Sequence, residues 1–311
     1  MEKALRWPGG KRFALTAFDD TDLATVENVA PVYAFLADLG LRTTKSVWPM
    51  AGDPGKACLG GSTCADADYR EWLLSIQDQG FEIALHGATY HTSSREETIR
   101  GLDEFRRIFG HDPVCCATHA FDAEGMYGGE ARLSGLAAAA FTLLTRFKRW
   151  RQWRGHVEGD PVFWGDVCRQ RIKYYRNFVF SEIDTLGACP WMPYHDPARP
   201  WVNYWFAGTE GGDVGQFNAT LAPENQDRLE QSGGACIMYT HFAKGFFRDG
   251  AIDGVFRQQM ERLAAKDGWF VPVGQLLDYI LQTRGHLDIP RLARARLEWK
   301  WLWHKVHKGT A

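Results

Sequence analysis

Five short apolar runs in this chain hand over to residues that do acid–base or metal chemistry. RFALTAF leads to Asp19 and Asp20, FEIAL to His86, PVCCAT to His119, NFVFSEI to Asp184 and ACIMYT to His241. Two neighbouring carboxylates allow two roles: one binds a cation while the other stays free as a general base. On an extended strand Asp19 and Asp20 face opposite sides, so they share a pocket only where the backbone turns at the strand end. Asp22 follows closely and can stand in for either. His86 and His91 are five residues apart and fall on different faces of any helix, so HGATYHT joins them only as a loop. Two imidazoles and one carboxylate leave an open position on a divalent metal, zinc first and cobalt, iron or manganese after it, where a water is held and acidified. His241 suits a general acid, because an imidazole ordinarily titrates near neutrality. His119 and Asp184 rank second, as residues that react or that orient a neighbour.

The elements that position these residues follow from what lies between the runs. NVAPVYAFLADLGL from Asn28 reads as an amphipathic helix, and YREWLLSIQDQG from Tyr69 as a second one ending at Gly80. SREETIRGLDEFRRIFG adds a third, capped by Ser93 or Ser94 and stopped by Gly110. Strands alternating with helices imply βαβ crossovers and a parallel α/β barrel, in which the active site sits at the C-terminal strand ends. The segment from Trp150 to about Gly234 is rich in Trp, Tyr, Pro and Gly and reads as a long loop over the site, with Trp191, Trp201, Tyr204 and Trp205 able to stack on sugar rings. AKDGWFVPVGQLLDYIL supplies a last strand and helix that close the barrel.

A chain of 311 residues with 45% hydrophobic content fits one domain of this kind. Its 36 basic and 38 acidic residues give no field to attract nucleic acid. The N-terminal apolar stretch is broken by Pro and Gly before a signal core forms, and no segment approaches the roughly 20 apolar residues of a membrane span, so a cytoplasmic protein is expected. The seven cysteines lack paired C-x-x-C spacing and read as reduced thiols; Cys58 and Cys64 alone flank a loop that a disulfide would close in an exported protein.

The motifs also carry a resemblance. ALTAFDD resembles the first motif of the polysaccharide deacetylases (carbohydrate esterase family four), EIALHGATYHT the second and ACIMYTH the last, in family order from about Phe13 to Leu281. The resemblance implies a distorted (β/α) barrel over 1–289 with a long irregular insertion around 185–234. It also implies Asp19 as base, Asp20, His86 and His91 as metal ligands and His241 as acid. The reaction implied is hydrolysis of an N-acetyl or N-formyl group on an amino sugar of a surface polysaccharide or lipid-linked precursor.

Two features depart from the family pattern. The second-motif histidines are one residue further apart than usual, as in the formamido-arabinose lipid deformylase branch, which widens the choice of acyl group. The third motif's arginine, which orients the base, is missing from PVCCATHAFDAEG, leaving His119 or Asp122 as substitutes; Asp184 and Trp205 are separate candidates for orienting a site residue or touching the substrate.

A rival enzyme is a glycoside hydrolase, which works with paired carboxylates and no metal, against the three histidines. A rival of another class is a catalytically silent carbohydrate-binding or assembly protein on the same barrel. The tail RLARARLEWKWLWHKVHKG, over 290–311, alternates basic residues with Leu and Trp as an amphipathic helix resting on the inner face of a membrane does, although packing helices share that pattern.

Overall fold

The computed structural model describes residues 5–56, 60–149 and 151–310. Strands β1 (Phe13–Asp19), β2 (Thr44–Val47), β3 (Glu82–Leu85), β4 (Cys115–Cys116), β5 (Tyr174–Phe180), β6 (Tyr204–Gly211) and β7 (Ala235–Thr240) run parallel in chain order. β7 returns to pair with β1 over six positions, from Ala14 with Ala235 to Asp19 with Thr240, and closes a seven-stranded barrel. β8 (Phe247–Arg248) and β9 (Ala251–Ile252) form a small antiparallel hairpin outside it. β10 (Gly268–Trp269) pairs with Phe13 and Ala14 at the start of β1, so it is an addition to the barrel and not its closing strand. Nearly every barrel residue is buried, as expected where helices cover the outer face and side chains fill the inside.

The connecting helices begin and end where local chemistry dictates. Helix Arg95–Phe109 carries a capping box, Ser94 accepting from the Glu97 amide while the Glu97 carboxylate accepts from the Ser94 amide. It stops at Gly110, whose φ of 81° is open to glycine at little steric cost. Helices Val26–Asp38 and Ala67–Asp78 complete the first two crossovers.

The stretch that reads as irregular, 185–234, holds β6 and helices Val214–Thr220 and Pro223–Ser232. Its Gly and Trp content misleads because β6 is buried on both sides and lacks the alternation of a half-exposed strand. The aromatic residues Trp191, Trp201, Tyr204 and Trp205 do not line the cavity at the barrel mouth, and Tyr194 pairs with Trp205 near the N-terminal end of β6. Segment 117–153 and the C-terminal helix Arg291–Lys308 stand over the mouth instead. That helix buries Leu297, Trp301 and Leu302, with Trp301 against Phe141 and Phe178, and leaves Trp299, Trp303 and Val306 exposed. No described helix is long and apolar enough to cross a membrane. The six described cysteines, Cys64 among them, are free and buried; Cys58 lies outside the described residues.

Candidate active site

β1 decides which of its aspartates reaches the mouth. Asp19 is still part of the strand and obeys its alternation, so its side chain points to the helix layer. There it accepts from Tyr33 Oη at 3.0 Å and from the Phe242 amide at 2.8 Å. Its cross-strand partner Lys45 completes the arrangement with an ion pair of 2.9 Å, both side chains fully buried. Burial opposes the Lys45 charge, but Asp19 overrides it and holds the ammonium's pKa above its ordinary value. Asp19 does not line the cavity at the mouth.

Asp20 and Asp22 do line it. The Asp20 amide bonds to the Thr240 carbonyl at 2.8 Å, which sets it beside His241 at the end of β7. Its carboxylate takes both arms of the Arg176 guanidinium, at 2.8 and 2.6 Å, from inside β5. Burial pushes the Asp20 carboxyl up, but Arg176 and then His86 outweigh it and hold its pKa below the ordinary value. Arg176 therefore places beside Asp20 the buried guanidinium that the third motif lacks. It is legible only by asking why the apolar strand YYRNFVF tolerates a cation, since a buried arginine needs a partner.

Asp22 stands among three imidazoles. Its Oδ1 is 3.7 Å from His86 Nε2 and 3.7 Å from His119 Nε2, and its Oδ2 is 3.0 Å from His241 Nε2. Burial raises the Asp22 carboxyl, yet the His241 bond and the neighbouring imidazoles outweigh that and hold it well below the usual carboxylate range. His86 Nδ1 lies 3.7 Å from Asp20 Oδ1, so the ring spans both carboxylates. His119 turns its other nitrogen to Asp122 at 3.8 Å. Burial opposes the His119 charge, but Asp122 and Asp22 overcome it and raise its pKa. His241 Nδ1 faces the Gly212 carbonyl at 2.8 Å, so both its ring nitrogens face oxygen acceptors. Only the imidazolium donates to both at once.

The fit to a metal rests on polar atoms left without partners. Asp22 Oδ1, both ring nitrogens of His86 and Nδ1 of His119 are buried and make no hydrogen bond, a state that is costly unless a ligand completes it. One carboxylate oxygen facing two imidazole nitrogens is a donor set a zinc-type ion accepts.

The remaining candidates are elsewhere. His91 bonds its own Nδ1 to the Thr92 carbonyl at 2.9 Å, packs on Tyr90 and does not line the cavity. Asp184 caps helix Thr185–Ala188, accepting from Gly187 at 2.9 Å and from the Ala235 amide at the start of β7. The strand NFVFSEI ends at Phe180, and the chain has descended to the other end of the barrel by Asp184. Trp205 is buried against Tyr127 and Tyr175.

A second His and Asp cluster occurs near the N-terminal end of β6. His195, His286 and Asp288 have ligand atoms within 4.8 Å of one another. Asp288 Oδ1 already accepts from His195 Nδ1 at 2.7 Å and meets His286 Nε2 at 3.1 Å, in partly or fully exposed positions.

No protein-family model and no curated protein matches the chain. Among solved structures it is similar to a protein assigned as a polysaccharide deacetylase from Mycobacterium smegmatis, at 14% identity, with 92% of this chain and 96% of that one covered and a TM-score of 0.52. It is also similar to a GH57-type branching enzyme from Pyrococcus horikoshii, at 10% identity, with 94% and 77% covered and a TM-score of 0.50. A protein assigned as a polysaccharide deacetylase from Pseudomonas aeruginosa PAO1 aligns at 14% identity over 97% and 94% of the two chains, with a TM-score of 0.47. The resemblance read from the motifs thus holds at the level of the fold, a (β/α) barrel shared with polysaccharide deacetylases. A barrel shared between two chemistries leaves function to the site.

Proposed function

We propose that the chain is a metal-dependent hydrolase that removes an N-acetyl or N-formyl group from an amino sugar of a surface polysaccharide or lipid-linked precursor. The observation that carries this is Asp22 Oδ1, buried and unbonded, 3.7 Å from both His86 and His119, beside an Asp20 held by Arg176. Asp22, His86 and His119 would hold the metal, in place of the Asp20, His86 and His91 set read from the sequence. A divalent ion held there would supply polarisation of an acyl carbonyl and a more acidic water. Asp20, fixed by both arms of Arg176, takes the proton of the attacking water, a role the sequence reading gave to Asp19. His241 donates a proton to the departing nitrogen, and Asp122 orients His119. Against a glycosidase stands the origin of both cavity-lining carboxylates, Asp20 and Asp22, in one strand end; a glycosidase needs two that flank the scissile bond. The exposed Trp299, Trp303 and Val306 support peripheral membrane contact through the C-terminal helix.

The test is release of acetate or formate from N-acylated amino sugars by zinc- or cobalt-reconstituted protein. Asp20→Asn and His241→Ala should each lower turnover by about 10² to 10⁴ with metal content unchanged, the scale of a lost general base or acid. A wild type that binds metal yet releases neither acid from any such sugar would favour the silent binding protein.

A further inference from the structure

The cavity at the mouth, about 490 Å³, is larger than the acid–base cluster requires. It extends from Asp20, Asp22 and His86 to a far wall built by segment 117–153 and the C-terminal helix, where Arg132, Arg149 and Lys305 line it. These three cations have no carboxylate partner among the described residues. Arg132 lies over the Trp301 ring at 4.8 Å, and its Nε is buried without an acceptor. Arg149 stacks on Phe121 and Trp153, at 5.3 and 5.6 Å, and reaches only the Ala120 carbonyl at 3.3 Å. Lys305 lies over the Trp301 ring at 5.3 Å and reaches the Thr310 carbonyl at 3.2 Å.

Elsewhere this protein pairs its buried cations: Lys45 with Asp19, Arg176 with Asp20, Arg199 with Asp196. Three cations at one cavity wall without a carboxylate break that pattern, and burial and neighbouring cations disfavour the charge on two of them, Arg132 and Lys305. Burial, then Arg176, pulls the Arg132 guanidinium down to about 10. Burial, then Arg132 and Arg149, pulls the Lys305 ammonium down to about 8, with Glu210 opposing weakly while its own carboxylate takes the Gly212 amide. An anion between them would relieve both the burial and the repulsion.

We propose that Arg132, Arg149 and Lys305 form an anion subsite that holds a phosphate ester on the substrate, so that the acylated amino sugar enters as a sugar phosphate. The inference rests on the hydrolase reading for what the rest of the cavity does, but not for the binding itself. Guanidinium forks and an ammonium suit phosphate oxygens. Arg132 lines the same cavity as Arg176, the partner of Asp20, so the subsite and the acid–base end share one pocket. The phosphate can come from a soluble glycosyl phosphate or from a lipid-linked one, since the wall includes a helix with exposed Trp303 and Val306.

The experiment is calorimetric titration of the full chain at low ionic strength with glucose 1-phosphate and with dodecyl phosphate, against glucose and dodecyl maltoside as neutral counterparts. It is run on the wild type and on Asp22→Asn, which removes any phosphate binding through a metal. Both proteins should bind phosphate probes and neither neutral one. Arg132→Met, and independently Arg149→Gln and Lys305→Gln, should weaken binding by about tenfold or more, the loss expected of a charge-assisted hydrogen bond. Preference for dodecyl phosphate identifies a lipid-linked substrate, and equal affinity a soluble one. Absence of phosphate binding, or affinities unchanged in all three variants, overturns the subsite. Phosphate binding by a protein that never releases acetate or formate sinks the hydrolase reading and leaves the subsite standing.

Discussion

Two groups of histidine and aspartate sit at opposite ends of this barrel, and they differ in what their polar atoms have left to do. At the mouth, Asp22, His86 and His119 are buried and several of their nitrogens and oxygens are unbonded. At the other end, His195, His286 and Asp288 lie closer together, yet Asp288 is already shared between two imidazoles and water has access. Flanking backbone bonds explain the second group: His195 accepts from Ile289 and donates to Leu287, both at 2.9 Å, tying the strap before the C-terminal helix to the barrel. Proximity alone would choose the exposed cluster as a metal site. Satisfaction of hydrogen bonds chooses the buried one, because an unpaired polar atom is costly only where water cannot reach it.

The largest effect that would break this contrast is on metal content. Asp22→Asn, His86→Ala and His119→Ala should each abolish stoichiometric metal in protein reconstituted with zinc, measured by mass spectrometry, while Asp288→Asn and His91→Ala retain it. Loss of metal in Asp288→Asn with retention in His119→Ala would reverse the assignment of the two clusters. Loss in His91→Ala would restore the ligand set that the sequence suggests.

Next in size are the two buried ion pairs at the end of β1. Removing one partner of such a pair costs about 3–5 kcal/mol, because the other charge stays buried and alone. Lys45→Met should therefore destabilise strongly in urea unfolding, and adding Asp19→Asn should recover a large part, since the amide still accepts from Phe242. If Asp19 serves only the fold, the double variant keeps near-normal turnover per folded molecule. If Asp19 is the base, turnover falls by about 10² to 10⁴ even though stability recovers. Arg176→Met should do the opposite of the double variant, impairing turnover as well as stability by freeing Asp20.

How much of this was legible in sequence follows from the same strand. The runs ending at Asp20, His86, His119 and His241 signalled a barrel with a site at its C-terminal ends, and that is where these residues stand. Motif spacing could not tell which of Asp19 and Asp20 lines the cavity, because that depends on whether β1 ends before or after Asp19, a matter of one residue. His91 looked like a ligand from its motif, but its loop carries the ring away toward Tyr90. Arg176 and β6 escaped the periodicity reading for a shared reason. In strands buried on both faces, periodicity is absent, and a cation's partner comes from far along the chain, here 156 residues away. The 185–234 region looked irregular because composition, not periodicity, was the only signal there.

The smallest effects concern acid stability, and they separate the two clusters again. Asp20 and Asp22 have folded pKa values below the ordinary 3.8 or so. The stability each contributes is therefore fully present above that value and is lost as pH falls through the lower folded one, at about 1.4 kcal/mol for each unit of lowering. Asp288 is lowered as well, by His195 and then His286, with the same sign, but solvent screens it. Denaturant midpoints of metal-free protein taken between about pH 5 and pH 2 should thus fall steeply in the wild type and less steeply in Asp22→Asn, while Asp288→Asn tracks the wild type closely. Metal-free protein is the right sample, since a bound cation would lower the carboxylates further and hide the imidazoles' share. If Asp288→Asn flattened the acid limb as much as Asp22→Asn, the exposed cluster would be holding its proton balance as tightly as the buried one, and burial would no longer distinguish the two ends of the barrel.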